Sequence, residues 1–162
     1  MLTPEQWEAA EPKIEHVYVV VHHTAGPAVQ TVEEINTEHQ VEHHWTGIGY
    51  HRVVYNDGTI HPGRPDDVQG AQAQGLNRKS IGVAVTGDFT HALPPQAQWN
   101  GLVHCLAVEC KRWGIPVKNI IGHRDVAMLV GDPSVATSCP GDALYAKMQW
   151  LRIDVIKAME SL

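Results

Sequence analysis

VYVVVHHTAG, residues 17–26, is the stretch around which we expect the chain to fold. Its first five residues form an unbroken, mostly β-branched apolar run, which is typical of a strand buried on both faces of a sheet. His22 and His23 follow at once, and in open α/β sheets ligands gather at the carboxyl ends of strands. Because neighbouring side chains on a strand point to opposite faces, we expect only one histidine to face a given site. The alternative is that the pair simply caps a core strand.

Length and composition predict one ordinary globular domain. The chain has 162 residues, of which 43% are hydrophobic and 19% charged, with a formal net charge of −6. This charge provides no basic surface for nucleic acid and no polybasic segment for an anionic membrane. We find neither an apolar signal core at the start nor a run of roughly 20 apolar residues for a membrane span. We therefore expect no nucleic-acid partner, no membrane insertion and synthesis in the cytoplasm.

The three cysteines do not indicate a disulfide framework. Cys105 and Cys110 lie five positions apart on a predicted helix, about 140° apart around its axis, so they cannot easily pair. We interpret them as core thiols. Cys139 lies in a different setting, just before Pro140 and Gly141 in a predicted loop.

Helical and strand patterns alternate along the chain. Capping residues and apolar spacing predict helices that begin at Pro4, at Val32, after Pro95 and near Asp142. Apolar runs and an Asn-Asp-Gly turn predict strands over residues 15–21, 45–55, 59–61, 80–86 and 118–121, with a long loop over 62–79. The alternation favours an α/β fold: a single domain with a mixed central β-sheet packed by helices.

Three metal-binding residue types follow predicted strands or precede a helix. His22 and His123 each end a buried strand, and Cys139 precedes the last helix. Two imidazoles and a thiolate are a normal zinc set, with the fourth position left for water. Zinc of this kind activates water and polarises a carbonyl, and so supports hydrolysis. Alternatively, His123 caps a turn and Cys139 is a small buried hydrophobe.

Five motifs carry a resemblance to a known family. They are VVVHHTAG, GIGYHRVVYNDGTIHPGR, GLNRKSIGVAVTGDF, GHRDV and TSCPGDALY, in this order over about residues 17–145. Together they resemble the zinc N-acetylmuramoyl-L-alanine amidases of the phage-lysozyme and peptidoglycan-recognition-protein family. The resemblance implies a peptidoglycan-recognition-protein-like fold, one Zn²⁺ per chain, and cleavage of the amide between N-acetylmuramic acid and L-alanine in peptidoglycan.

The resemblance also implies roles for individual residues. It favours His22 over His23 as a zinc ligand, together with His123 and Cys139. It also implies two catalytic residues: Tyr50 at the zinc-bound water and Thr137 at the carbonyl oxygen of the substrate. We expect the glycan-peptide groove to be lined by Arg64, Gln72, Asn77, Arg78 and Ser80. Two features depart from the family: Gln72 stands where histidine is common, and residues 127–136 lengthen the connection to Cys139. Asp132 in that insertion could shape the groove or compete as a ligand.

Several functional classes fit this resemblance. We expect a phage or prophage endolysin, made in the host cytoplasm and acting on the wall after release. We further expect a monomer whose residues 1–162 form one amidase domain without a separate wall-binding domain. The alternatives are a non-catalytic peptidoglycan-binding protein and a cytosolic amidase that recycles muropeptides.

Overall fold

A computed structural model describes all 162 residues of the chain and shows one five-stranded sheet. The strands are β1 (Tyr18–His23), β2 (Arg52–Val54), β3 (Ile60–Pro62), β4 (Ser80–Val85) and β5 (Ile120–Gly122). Their spatial order is β3-β2-β4-β1-β5. All neighbours are parallel except the β2–β3 hairpin, so the predicted mixed sheet is confirmed.

Six α-helices pack on this sheet. They are α1 (Pro4–Ala10), α2 (Val32–His43), α3 (Gln96–Trp113), α4 (Val126–Val130), α5 (Asp142–Tyr145) and α6 (Met148–Glu160). A capping box begins α1, with Thr3 and Gln6 satisfying each other's backbone N–H groups. Gly114 ends α3 with a φ of 66°, a left-handed conformation that favours glycine. None of these helices is long and apolar enough to cross a bilayer.

The alternation of side chains along β1 separates two packed layers. Val19 and Val21 face a core formed with α3 and α6, in which Cys105 and Cys110 are buried as expected. Val20 faces the opposite layer, which the loop after β3 covers with Ala73 and Leu76. The strand thus buries both of its faces, as its apolar run predicts.

Several strand boundaries shift by one to three residues from the sequence prediction, and three differences are more informative. β1 continues through both histidines, so they belong to the strand rather than follow it. The predicted strand over 45–55 shortens to β2, because the backbone before it bonds outside the sheet ladder, with Ala71 N–H donating to the Gly49 carbonyl. The predicted last helix divides into α5 and α6 at a turn closed by the Lys147 N–H on the Leu144 carbonyl.

Candidate metal centre in an open cleft

Two parallel strands and one loop bring together three side chains that could hold a metal ion. Val21 of β1 pairs with Gly122 of β5, so His22 and His123 lie side by side at the same edge of the sheet. Their ring centroids are 4.5 Å apart. Cys139 approaches from the loop before α5, with its Sγ 3.7 Å from Nδ1 of His22. One donor atom from each of His22, His123 and Cys139 lies within 4.8 Å of the other two. These three residues form a candidate metal-binding group, and they are its three donors.

Strand alternation explains why His22 belongs to this group and His23 does not. His22 shares the face of Val20, whereas His23 points to the layer that holds Phe89. There His23 Nδ1 accepts a hydrogen bond from the Phe89 N–H at 3.1 Å. The backbone therefore directs His22 towards the two other donors, whereas the His23 ring bonds to the segment of Phe89 and supplies no atom to that group.

The three donors fit a divalent metal such as zinc. Burial lowers the pKa of His22 well below its usual value and that of His123 to about 4, so both imidazoles are neutral and can ligate. Burial also raises the pKa of the Cys139 thiol to about 12. A bound cation would stabilise the thiolate that this burial disfavours, and metal binding of this kind releases the thiol proton.

The group lies in an open cleft of about 320 Å³. Its lining includes Tyr50 and Thr137 beside the three donors, and no carboxylate. A second cleft of about 440 Å³ shares Gln72 and His123 with the first and extends along the 134–136 segment. The two clefts adjoin each other at these shared residues, and together they are called the groove below.

Comparison with known proteins identifies the family. A family profile described as N-acetylmuramoyl-L-alanine amidase matches residues 12–142. The chain belongs to this amidase family. Peptidoglycan-recognition protein LB of Drosophila melanogaster is 32% identical over 163 residues, which cover 91% of this chain and 67% of that protein. The solved structure of that Drosophila protein superposes with a TM-score of 0.71 over 91% of each chain.

Two solved bacterial and phage enzymes share the architecture. The amidase LysC from Clostridium intestinale is 28% identical, with a TM-score of 0.73 over 85% of each chain. The endolysin of Thermus scotoductus bacteriophage Ph2119 is 25% identical, with a TM-score of 0.75 over 92% of this chain and 96% of that one. A mutant of the Drosophila protein was solved with tracheal cytotoxin. The chain spans only 23% of the human and 25% of the mouse relatives named N-acetylmuramoyl-L-alanine amidase.

Tyr50 and Thr137 of this amidase-family chain both reach the cleft. The Tyr50 ring centroid lies 5.1 Å from that of His22, and burial raises the pKa of its phenol, which therefore stays protonated at neutral pH. The Thr137 hydroxyl accepts the Cys139 N–H at 3.2 Å, which leaves its own proton free to donate. Each residue thus offers a hydroxyl donor beside the metal-binding group.

The predicted groove residues are placed differently. Arg64 is wrong as a groove residue: it is 2% exposed, lies over the Trp7 ring, and donates to the carbonyls of Ile48 and Gln69. Ser80 is also wrong, since it is completely buried. Arg78 is exposed but lines neither cleft.

Gln72 and Asn77 do line the groove, yet both side chains bond within the protein. Asn77 Oδ1 accepts the backbone N–H groups of Gln72 and Ala73. Asp132 is exposed and caps the short turn at 133–135, outside the metal-binding group. The insertion itself forms α4 and this turn, and so supplies one wall of the second cleft.

Sequence reasoning missed three aromatic residues of the cleft wall: His39, His43 and Trp45. His43 stacks on Trp45 with centroids 4.4 Å apart. The signal was available, because His39 and His43 lie four residues apart on α2 and so share one helix face.

Arg124 connects the turn that carries His123 to the loop that carries Cys139. Its backbone N–H donates to the Cys139 carbonyl at 2.9 Å, and its guanidinium donates to the Ser138 carbonyl and to Asp142. The guanidinium also lies over the Tyr145 ring, whose hydroxyl bonds Asp125. These contacts fix the segment of His123 and the segment of Cys139 relative to each other.

We expect Arg124→Ala to lower the free energy of unfolding by roughly 1–2 kcal/mol and to weaken metal binding, because two charge-assisted bonds between the segments are lost. Urea unfolding of the metal-free protein and zinc titration measure the two effects. Arg78→Ala is the matched control: Arg78 is exposed and its side chain makes no hydrogen bond or ion pair, so its loss should change stability by less than about 0.5 kcal/mol. Equal behaviour of the two variants would contradict the bracing role.

Proposed function

We propose that this protein is a zinc-dependent N-acetylmuramoyl-L-alanine amidase that acts on peptidoglycan as a phage or prophage endolysin. The observation that carries the proposal is the convergence of His22, His123 and Cys139 on the floor of an open cleft. Three protein ligands leave a coordination position open, which is typical of catalytic rather than structural zinc. A non-catalytic binding protein has no need of this arrangement.

Bound zinc would act there as a Lewis acid on the amide carbonyl and would lower the pKa of water. The chain's own residues orient the substrate and stabilise charge. The protonated phenol of Tyr50 lies beside the donor group, and the hydroxyl of Thr137, on the loop that carries Cys139, has a proton free to donate. Donors fixed before the reaction stabilise the negative charge that develops on the carbonyl oxygen.

The cleft lining argues against glycoside cleavage. Glycosidases use two carboxyl groups on either side of the scissile bond, and the cleft contains none. Relatives support the proposed substrate and role: a mutant of the Drosophila protein was solved with tracheal cytotoxin, and the Ph2119 protein is named an endolysin.

We expect digestion of purified sacculi to release new amino termini on L-alanine without new reducing sugar ends. Mass spectrometry of the soluble products and a reducing-end assay measure the two outcomes. Chelation should stop the release, and added Zn²⁺ should restore it. New reducing ends that rise in step with solubilisation would identify a glycosidase instead.

A comparison of substrates separates the endolysin from a recycling enzyme. An endolysin should solubilise intact sacculi, whereas a recycling amidase should act only on soluble muropeptides. Binding to sacculi without release of either product would identify a non-catalytic peptidoglycan-binding protein.

A further inference from the structure

A chain of three buried hydrogen bonds leads from the metal-binding group into the protein. Nε2 of His22 lies 2.5 Å from Oε1 of Gln72, on the side of the ring away from Cys139. Nε2 of Gln72 donates to the Ser80 hydroxyl at 2.8 Å. The Ser80 hydroxyl donates in turn to the Leu76 carbonyl at 2.8 Å. His22, Gln72 and Ser80 are 1%, 7% and 0% exposed, so little water reaches these bonds.

The bond from the Ser80 hydroxyl to the Leu76 carbonyl fixes the donor and the acceptor in the other two bonds. A backbone carbonyl can only accept, so the single Ser80 proton is used on Leu76 and the Ser80 oxygen must accept from Gln72. The Gln72 amide therefore turns its NH₂ group to Ser80 and its oxygen to His22. An oxygen acceptor requires the His22 proton on Nε2, which leaves the Nδ1 lone pair facing Cys139.

Packing holds Gln72 in this place. Gly82 lies directly beneath it in β4, and a Cβ atom there would come within 2.6 Å of Gln72 Cγ. Asn77 fixes the backbone, since its Oδ1 accepts the Gln72 N–H at 3.0 Å. The absence of a side chain at Gly82 thus makes room for the Gln72 side chain, and the bond to Asn77 anchors the Gln72 backbone.

We propose that Gln72 is a positioning residue for the metal ligand His22, and that Ser80 sets the orientation of the Gln72 amide. This inference rests on the proposed metal site. The pair selects the histidine tautomer whose Nδ1 is free to ligate, before any metal binds. Partners of this kind orient metal-bound histidines, and their loss typically weakens metal affinity by about 10–100-fold.

The first test compares two buried glutamines. Gln98 is also buried and donates to the Val54 and Thr86 carbonyls, but it contacts no metal-binding residue. We expect Gln72→Leu to weaken Zn²⁺ binding by about 10–100-fold and Gln98→Leu to leave it unchanged, although both variants lose stability. A competing chelator at fixed pH measures the affinity. Equal zinc affinity in the two variants, at any level, would overturn the proposal.

Ser80→Ala is a smaller change than Gln72→Leu, so we expect this variant to fold and to test the same contact. Without the hydroxyl, the Gln72 amide can turn its NH₂ group towards His22, so we expect an intermediate loss of zinc affinity. Gln72→Glu should retain most of the affinity, because a carboxylate oxygen still accepts from Nε2 of His22. A Ser80→Ala protein that binds zinc as tightly as the parent would exclude the role of Ser80.

The second test needs no metal. Nitrogen-15 NMR of the metal-free protein should show the His22 proton on Nε2 alone, and a mixture of tautomers in Ser80→Ala. A parent protein with the proton on Nδ1 would overturn the inference even if zinc binds. A parent protein that binds no zinc yet carries the Nε2 proton would refute the proposed metal function and leave the tautomer selection standing.

Discussion

Cys139→Ala is expected to remove zinc binding and amidase activity together. Two imidazoles would remain, one ligand fewer than the three that catalytic zinc sites use. Turnover should fall by at least about 10³-fold, because water that no metal activates is a poor nucleophile at neutral pH. Elemental analysis of the purified variant and an assay on muropeptide measure the two losses.

The matched control is the neighbouring histidine that faces the other layer. His23→Ala should retain zinc and most activity, since His23 Nδ1 accepts the Phe89 N–H and the ring supplies no atom to the candidate metal-binding group. Its cost should appear as a loss of about 1–2 kcal/mol in the free energy of unfolding, because a buried N–H is left unpaired. If His23→Ala loses the metal while His22→Ala keeps it, the assignment of faces along β1 is wrong.

The elements that could be predicted are those that carry their own local signals. α2 begins at Val32 as predicted, because Thr31 caps its first turn and the apolar spacing is regular. The buried apolar run of β1 was equally clear. In each case propensity, capping and burial favour the same structure.

Predictions failed where distant contacts decide the structure. Residues 45–51 read as a strand from composition, but they bond to residues that lie far along the chain, as Gly49 does with Ala71. Arg64 was expected to line the groove, yet it is buried over Trp7 in a contact between α1 and the long loop. The hydrophobic periodicity of neither segment indicates these distant contacts.

The site was predictable only in part for the same reason. His22, His123 and Cys139 stand at strand ends and before a helix, so topology alone brings them to one edge of the sheet. Ser80 and Gln72 are eight residues apart and meet only because the loop between them folds back over β4. Their burial is a tertiary property, which sequence spacing does not reveal.

Tyr50→Phe is expected to lower turnover by about 10²–10³-fold while zinc content and stability stay close to those of the parent. The Tyr50 hydroxyl makes no hydrogen bond within the chain, and its ring lies beside His22 in the cleft. Removing the oxygen therefore costs the fold no contact, and the loss should fall on the step in which charge develops. Turnover numbers and zinc content of the purified variant measure these effects.

A second tyrosine supplies the control for that prediction. The Tyr55 hydroxyl accepts the Val32 N–H at 2.6 Å and lies outside the cleft. Tyr55→Phe should lower stability by about 1 kcal/mol, because that N–H loses its partner, and leave turnover unchanged. Both variants thus remove a phenolic oxygen, but Tyr50→Phe should lose turnover and keep its stability, whereas Tyr55→Phe should lose stability and keep its turnover. Unchanged turnover in Tyr50→Phe would exclude Tyr50 from the mechanism, and a loss of zinc in that variant would assign it a structural role at the metal centre.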